Sequence, residues 1–127
     1  MINDSHKFDS SIIRSYDIRG IYEKTLSDTD AMHIGRLFGL KVGKNKNVNI
    51  CYDGRLSSPS LKDSLIQGLL DVGVNVSDIG LGPTPLLYFS CFENMASGGI
   101  MITGSHNPKD YNGFKFVLQN MPFYGED

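Results

Sequence analysis

A chain of 127 residues, 40% hydrophobic and 20% charged, is long enough for one domain with a real core and has an ordinary globular make-up. A net charge of −2 gives no reason to expect nucleic acid or an anionic membrane as partner. No apolar run approaches the length of a membrane span. The two cysteines, Cys51 and Cys91, lie in apolar contexts and read as buried free thiols, which suits a cytoplasmic protein. With three scattered histidines they form no zinc-ligand spacing.

Residues 1–7 are polar and lack the hydrophobic centre of a signal peptide, so a flexible arm is expected there. The domain is expected to run from Phe8 to Asp127. Ile12-Ile13 can enter a strand. Tyr16-Asp17-Ile18-Arg19-Gly20 then breaks the apolar pattern and reads as a turn-like element. A guanidinium there can hold phosphate through two parallel hydrogen bonds. The plainer reading of Arg19 is a surface residue paired with Asp17.

Ser27, with Asp30 three residues on, predicts a capped helix. Ala31, Ile34, Phe38 and Val42 supply its apolar face and Gly43 its stop. His33 on this helix is read as surface or packing. Val48–Tyr52 reads as a short buried strand ending in the turn Asp53-Gly54-Arg55. That turn either reaches a ligand or fixes its own loop by hydrogen bonds, and the second reading is favoured. A second helix is expected with Ser58 as cap and Pro59 at its first position, burying Leu61, Leu65, Leu69 and Val72 and ending at Gly73. Val74–Ile79 alternates as a strand. After a tight Gly80–Pro83 connection, a third helix runs from Thr84-Pro85 to about Asn94, with Leu87, Tyr88 and Cys91 on one side and its aromatics in the core.

Gly98–Thr103 reads as a buried strand that delivers Thr103-Gly104-Ser105-His106-Asn107-Pro108. In open α/β sheets ligands bind beyond the carboxyl ends of strands. Lys109–Gly113 is rich in turn residues, and Phe114–Leu118 is a final strand with Lys115 alternating away from the two phenylalanines. The order is β, α, β, α, β, α, β, β. It predicts a three-layer α/β/α sandwich with a mixed, mostly parallel sheet, the last two strands antiparallel across their short connection.

Three chemistries lack their signatures. There is no G-x-S-x-G nucleophile elbow, no P-loop, and no G-x-G-x-x-G after the first strand. Adjacent Ser105 and His106 rarely aim at one another well enough to form a nucleophile–base pair. Phosphoryl transfer fits better. It demands positioning and charge neutralisation. A phosphoserine carries about −1.5 to −2 charge at neutral pH. Ser105 as carrier, with His106, Lys115 and Arg19 as cations, meets both demands. The plain alternative is a polar turn beside a solvated lysine, a satisfied histidine and a salt-bridged arginine.

The motifs Tyr16-Asp17-Ile18-Arg19-Gly20, Asp53-Gly54-Arg55, Gly82-Pro83-Thr84-Pro85, Thr103–Pro108 and Tyr111-Asn112-Gly113-Phe114-Lys115 together resemble the first domain of the α-D-phosphohexomutases. Thr-Gly-Ser-His-Asn-Pro resembles the phosphomannomutase/phosphoglucomutase branch in particular. Tyr52 stands where family members often have arginine, which touches only local loop contacts.

The resemblance implies that Ser105 is phosphorylated and donates its phosphoryl group to a hexose monophosphate. A hexose 1,6-bisphosphate forms, reorients and returns its other phosphate. Hexose 1-phosphate and 6-phosphate of glucose or mannose are thereby interconverted. It further implies Mg²⁺ on the Ser105 phosphate, substrate contact by Tyr16, and orientation of the serine loop by Asn107. Arg19, His106 and Lys115 would surround the reacting groups, with Arg19 or Lys115 handling the proton. A lysine serves as a base only where burial or cationic neighbours lower its pKa. The family's metal loop, sugar-recognition loop and distal phosphate loop belong to three further domains, none of them in these residues. The chain is therefore expected to be a C-terminally incomplete first domain, inactive alone, with the remaining domains on a separate chain as a possible partner. The alternatives are a non-catalytic remnant or interaction module that keeps the fold, and a phosphate-binding protein that never phosphorylates Ser105.

Overall fold

Alternating strands and helices bury apolar side chains on both faces of one sheet, and that is the arrangement found. The computed structural model describes residues 17–104, 108–118 and 121–123. The elements run β1 (Asp17–Ile21), α1 (Asp28–Val42), β2 (Asn47–Tyr52), α2 (Ser58–Asp71), β3 (Asn75–Leu81), α3 (Thr84–Asn94), β4 (Gly98–Ile102), β5 (Tyr111–Leu118) and β6 (Met121–Phe123). The sheet order is β1-β5-β4-β2-β3. The β2–β3 and β2–β4 pairings are parallel, whereas β5 runs antiparallel to β4, β1 and β6. By direction, β5 alone opposes the other strands, so the sheet is mixed yet mostly parallel, as expected.

One core lies between the sheet and α1/α2, built from Ile34, Phe38, Leu61, Leu65 and Leu69 against Ile50, Ile100, Ile102 and Phe114. A second lies under α3, where Leu87 and Cys91 meet Cys51, Met101 and Val117. Three layers result. Both cysteines are free and buried. Burial, with smaller contributions from Cys91 and Asp78, pushes the Cys51 thiol up to about 11. No helix among the described residues is long and apolar enough to cross a membrane.

Helix α1 begins as its sequence dictates. The Ser27 hydroxyl accepts from the Asp30 N–H at 3.1 Å, and the Asp30 carboxylate accepts from the Ser27 N–H at 2.9 Å. Gly43 ends it at φ +112°, a conformation that favours glycine. His33 is buried on this helix, the packing rather than the surface position of the two expected. Helices α1 and α2 meet almost backbone to backbone. A methyl group at Gly35 would overlap the Leu65 carbonyl, and one at Gly68 the Met32 carbonyl.

Several expectations need correction. Tyr16–Gly20 was expected to break the chain's pattern, yet residues 17–21 are strand β1, paired along β5 from Asp17↔Lys115 to Ile21↔Tyr111. Tyr111-Asn112-Gly113, expected as turn, is the start of β5. Turn-forming residues serve here because Asn112 sends its amide to Ser57 and Ser58, while Gly113 lets the Ile18 carbonyl approach closer than a side chain would permit. Gly80-Leu81 belongs to β3, which bulges between Asp78 and Gly80. Ser58 is the first residue of α2 and Ser57 its cap, and the Ser57 side chain makes no capping bond. Tyr88 does not share the buried side of Leu87 and Cys91. It is 41% exposed, with Phe89 at 61% and Phe92 at 74%, because α3 buries only a narrow stripe on the sheet. Strand β6 was not anticipated. It pairs with β5 beyond the stretch occupied by β1.

Candidate functional site

Strand β4 lies inside the sheet, flanked by β2 and β5. The serine motif is delivered at its carboxyl end. The Thr103 N–H donates to the Gly113 carbonyl at 3.0 Å, continuing the β4–β5 ladder one residue past the strand. Gly113 in turn stands opposite Arg19. Thr103, Gly113 and Arg19 thus form one row across three strands. Alternation places all three on the α3 face, because Ile18, Phe114 and Ile102 of the adjacent row face the α1/α2 core. Lys115 lies on the same α3 face, two residues along β5 and opposite Met101. Arg19 and Lys115 are therefore diagonal cross-strand neighbours, a spacing within reach of long side chains. Both are half-buried. Glycine at 113 leaves the face between Arg19 and Thr103 without a side chain.

Ser105, His106, Asn107 and Tyr16 lie outside the described residues. The two flanks of the serine, Gly104 and Pro108, are described, and both are held by the Asp53-Gly54-Arg55 turn. The Asp53 carboxylate accepts from the Gly104 N–H at 3.1 Å, the Ser58 hydroxyl at 2.8 Å, and the Arg55 N–H and Nε at 3.2 Å each. Burial pushes its pKa up, but these bonds and one from the Thr103 hydroxyl outweigh it and hold the carboxyl below its ordinary value. Arg55 Nη1 donates to the Pro108 carbonyl at 2.5 Å and the Tyr111 carbonyl at 3.1 Å. Ser58 and Ser57 complete the anchor by accepting from Asn112 Nδ2 at 2.9 Å each. The turn thus fixes its own loop, as favoured from sequence, and also the chain on either side of Ser105. Sequence reading missed that second role. Its partners lie more than fifty positions away, and only the repeated polar residues at the ends of strands hinted at it.

An open pocket of about 700 Å³ lies between Tyr22, the 53–57 turn and Lys109-Asp110. It borders the Pro108 flank, and neither Arg19 nor Lys115 lines it. The Mg²⁺ implied from sequence finds no ligand cluster here. No group of three or more His, Cys, Asp or Glu among the described residues could hold a metal, and Asp53 is committed to its donors.

The model of the phosphoglucomutase/phosphomannomutase alpha/beta/alpha domain I matches residues 10–127. A phosphomannomutase/phosphoglucomutase of Pseudomonas syringae pv. tomato is 53% identical over 110 residues, which are 85% of this chain and 24% of that protein. A phosphoglucomutase of Neisseria gonorrhoeae is 45% identical over 117 residues, 91% of this chain and 25% of that one. A crystal structure of a phosphoglucomutase/phosphomannomutase family protein from Burkholderia thailandensis superposes with a TM-score of 0.86 at 43% identity, covering 94% of this chain and 28% of its own. The chain spans about a quarter of the length of the curated relatives it matches. With its fold, its motifs and these matches in agreement, the chain belongs to the phosphoglucomutase/phosphomannomutase family, whose alpha/beta/alpha domain I it represents.

Proposed function

We propose that this chain supplies the phosphoserine domain of a cytoplasmic phosphohexomutase that interconverts hexose 1-phosphate and hexose 6-phosphate of glucose or mannose. The observation that carries the reading is the row Thr103–Gly113–Arg19 with Lys115 beside it. Two cations share one sheet face next to the residue that leads into the serine loop. In the proposed reaction the bond from phosphorus to Ser105 Oγ breaks and a bond from phosphorus to a sugar hydroxyl oxygen forms. The hydroxyl proton leaves to a base, for which Arg19 and Lys115 are the candidates. The resulting hexose 1,6-bisphosphate turns round, and its other phosphate passes back to Ser105 Oγ with the proton returned. His106 and whichever of Arg19 and Lys115 does not serve as the base neutralise the moving charge. Tyr16 contacts the sugar phosphate and Asn107 orients the loop. Among the described residues there is no cluster for Mg²⁺; an ion bound through the Ser105 phosphate, with its remaining ligands from a further domain, would add charge neutralisation to these steps.

The chain by itself is proposed to turn over hexose phosphates poorly or not at all. A coupled assay on glucose 1-phosphate or mannose 1-phosphate, with Mg²⁺ and a hexose 1,6-bisphosphate activator, tests this, and robust turnover by the 127-residue chain refutes it. Intact mass of protein from its native host, with Ser105→Ala as control, tests the carrier role. Phosphate on Ser105 supports it, and its absence favours a phosphate-binding or non-catalytic domain.

A further inference from the structure

We propose that Asp53 and Arg55 are positioning residues that clamp the two flanks of the serine loop, Gly104 and Pro108, and so limit where the loop between them can carry Ser105. This deepens the phosphoserine reading and rests on it. The clamp is a continuous chain of hydrogen bonds across the mouth of the loop. It runs from the Gly104 N–H to Asp53 Oδ2 at 3.1 Å, from Arg55 Nε to the same oxygen at 3.2 Å, and from Arg55 Nη1 to the Pro108 carbonyl. A further bond to the Tyr111 carbonyl at 3.1 Å ties it to the start of β5. The guanidinium also fills the space in which a Cβ on Gly104 would sit, so a side chain at 104 would displace it. Only a planar fork reaches a carboxylate and two carbonyls at once. A lysine ammonium on the same stem is a point charge.

The base of the clamp is rigid. The Asp53 N–H donates to the Ile102 carbonyl at 2.9 Å, and Ser58 at the head of α2 donates to Asp53 at 2.8 Å. Positive and negative charges within the clamp pair with each other. Group transfer needs its reacting atoms placed to within a fraction of an ångström, and residues that hold the carrier supply that placement.

The test is amide hydrogen exchange by NMR on the full 127-residue chain. Arg55→Ala is expected to speed exchange over residues 104–110 about tenfold, the equivalent of one lost hydrogen bond, with α1 and α2 unchanged. Gly104→Ala leaves the arginine present but displaced, and should give the same local rise even if Arg55→Ala fails to fold. Arg55→Lys should restore less than half of the protection on a logarithmic scale. The clamp is overturned if loop exchange does not change, if it rises equally throughout the domain, or if lysine restores it fully. Ser105→Ala must leave the loop protected while abolishing any phosphate uptake. A loosened loop in Arg55→Ala, combined with no phosphate ever found on Ser105, leaves the clamp standing and removes the phosphoserine reading instead.

Discussion

Replacing Asp53 by asparagine swaps one carboxylate oxygen for an amide nitrogen and keeps the size. In the native structure Oδ1 receives the Ser58 hydroxyl and the Arg55 N–H, and Oδ2 receives the Gly104 N–H and Arg55 Nε. Whichever way the new amide turns, two donors then face an NH₂ group. A hydrogen bond to a charged group contributes about 1.5–3 kcal/mol. The Asp53 side chain is 23% exposed, so water recovers part of the loss. The expected cost is about 2–3 kcal/mol at neutral pH, a large fraction of a small domain's stability. Urea unfolding followed by far-UV circular dichroism measures it, with an unchanged m-value showing that only stability moved. The pH dependence gives a second check. The carboxyl is held below its ordinary value in the folded chain, so acid puts a proton on the unfolded state first. The stabilisation is complete above the unfolded pKa, near 3.9, and is lost as pH falls through the folded value. Asparagine does not titrate, so the gap between wild type and Asp53→Asn must narrow on acidification below about pH 4. A neutral-pH difference under about 0.5 kcal/mol, or a gap that stays constant into acid, refutes the role assigned to this carboxylate.

Three other changes are expected to have readable effects. Gly68→Ala drives a methyl group into the Met32 carbonyl and should cost about 3 kcal/mol or more, seen as a lower urea midpoint. Ser27→Ala removes the hydroxyl that accepts from the Asp30 N–H, while the backbone N–H at position 27 keeps its bond to the Asp30 carboxylate, and should cost about 1 kcal/mol by the same measurement. The two cysteines should resist a thiol reagent at pH 8 in the folded chain and both react in guanidinium, since at a pKa of about 11 the thiolate of Cys51 is about a thousandth of the population. Rapid labelling of the folded chain would contradict their burial.

Local signals were readable where local forces decide. Ser27, Asp30, the Ala31–Val42 stripe and Gly43 specify α1 almost to the residue, because caps and periodicity act within a few positions. The layers followed from the alternation of elements. The places where reading failed are those where distant chain supplies the partner. Asp17–Ile21 alternates polar and apolar residues but is too short and too broken by Gly20 to stand out from a turn, and it becomes a strand by pairing with β5. Asn112 and Gly113 look like turn formers, but the head of α2 and the Ile18 carbonyl give them work inside a strand. Ser58 looks like a cap, but its hydroxyl is drawn to Asp53 and Asn112. Half of the site was legible in the same sense. The serine motif stands out after β4, and Arg19 and Lys115 stand out as basic residues that the β1–β5 register brings to one face. The Asp53–Arg55 clamp depends on contacts that only the sheet order creates.

The glycine crossing of α1 and α2 bears on the order of folding events. Two helices that meet through side chains can touch loosely at first and tighten as rotamers settle. Gly35 and Gly68 leave no such intermediate layer, because each admits the opposite backbone only when both helices are formed and in register. Packing this close is expected to be gained after the rate-limiting step, which a low φ-value for Gly68→Ala would show. Gly68→Ala should leave the refolding rate nearly unchanged and speed unfolding, so the helix pair acts as the latch that sets how long the native domain persists.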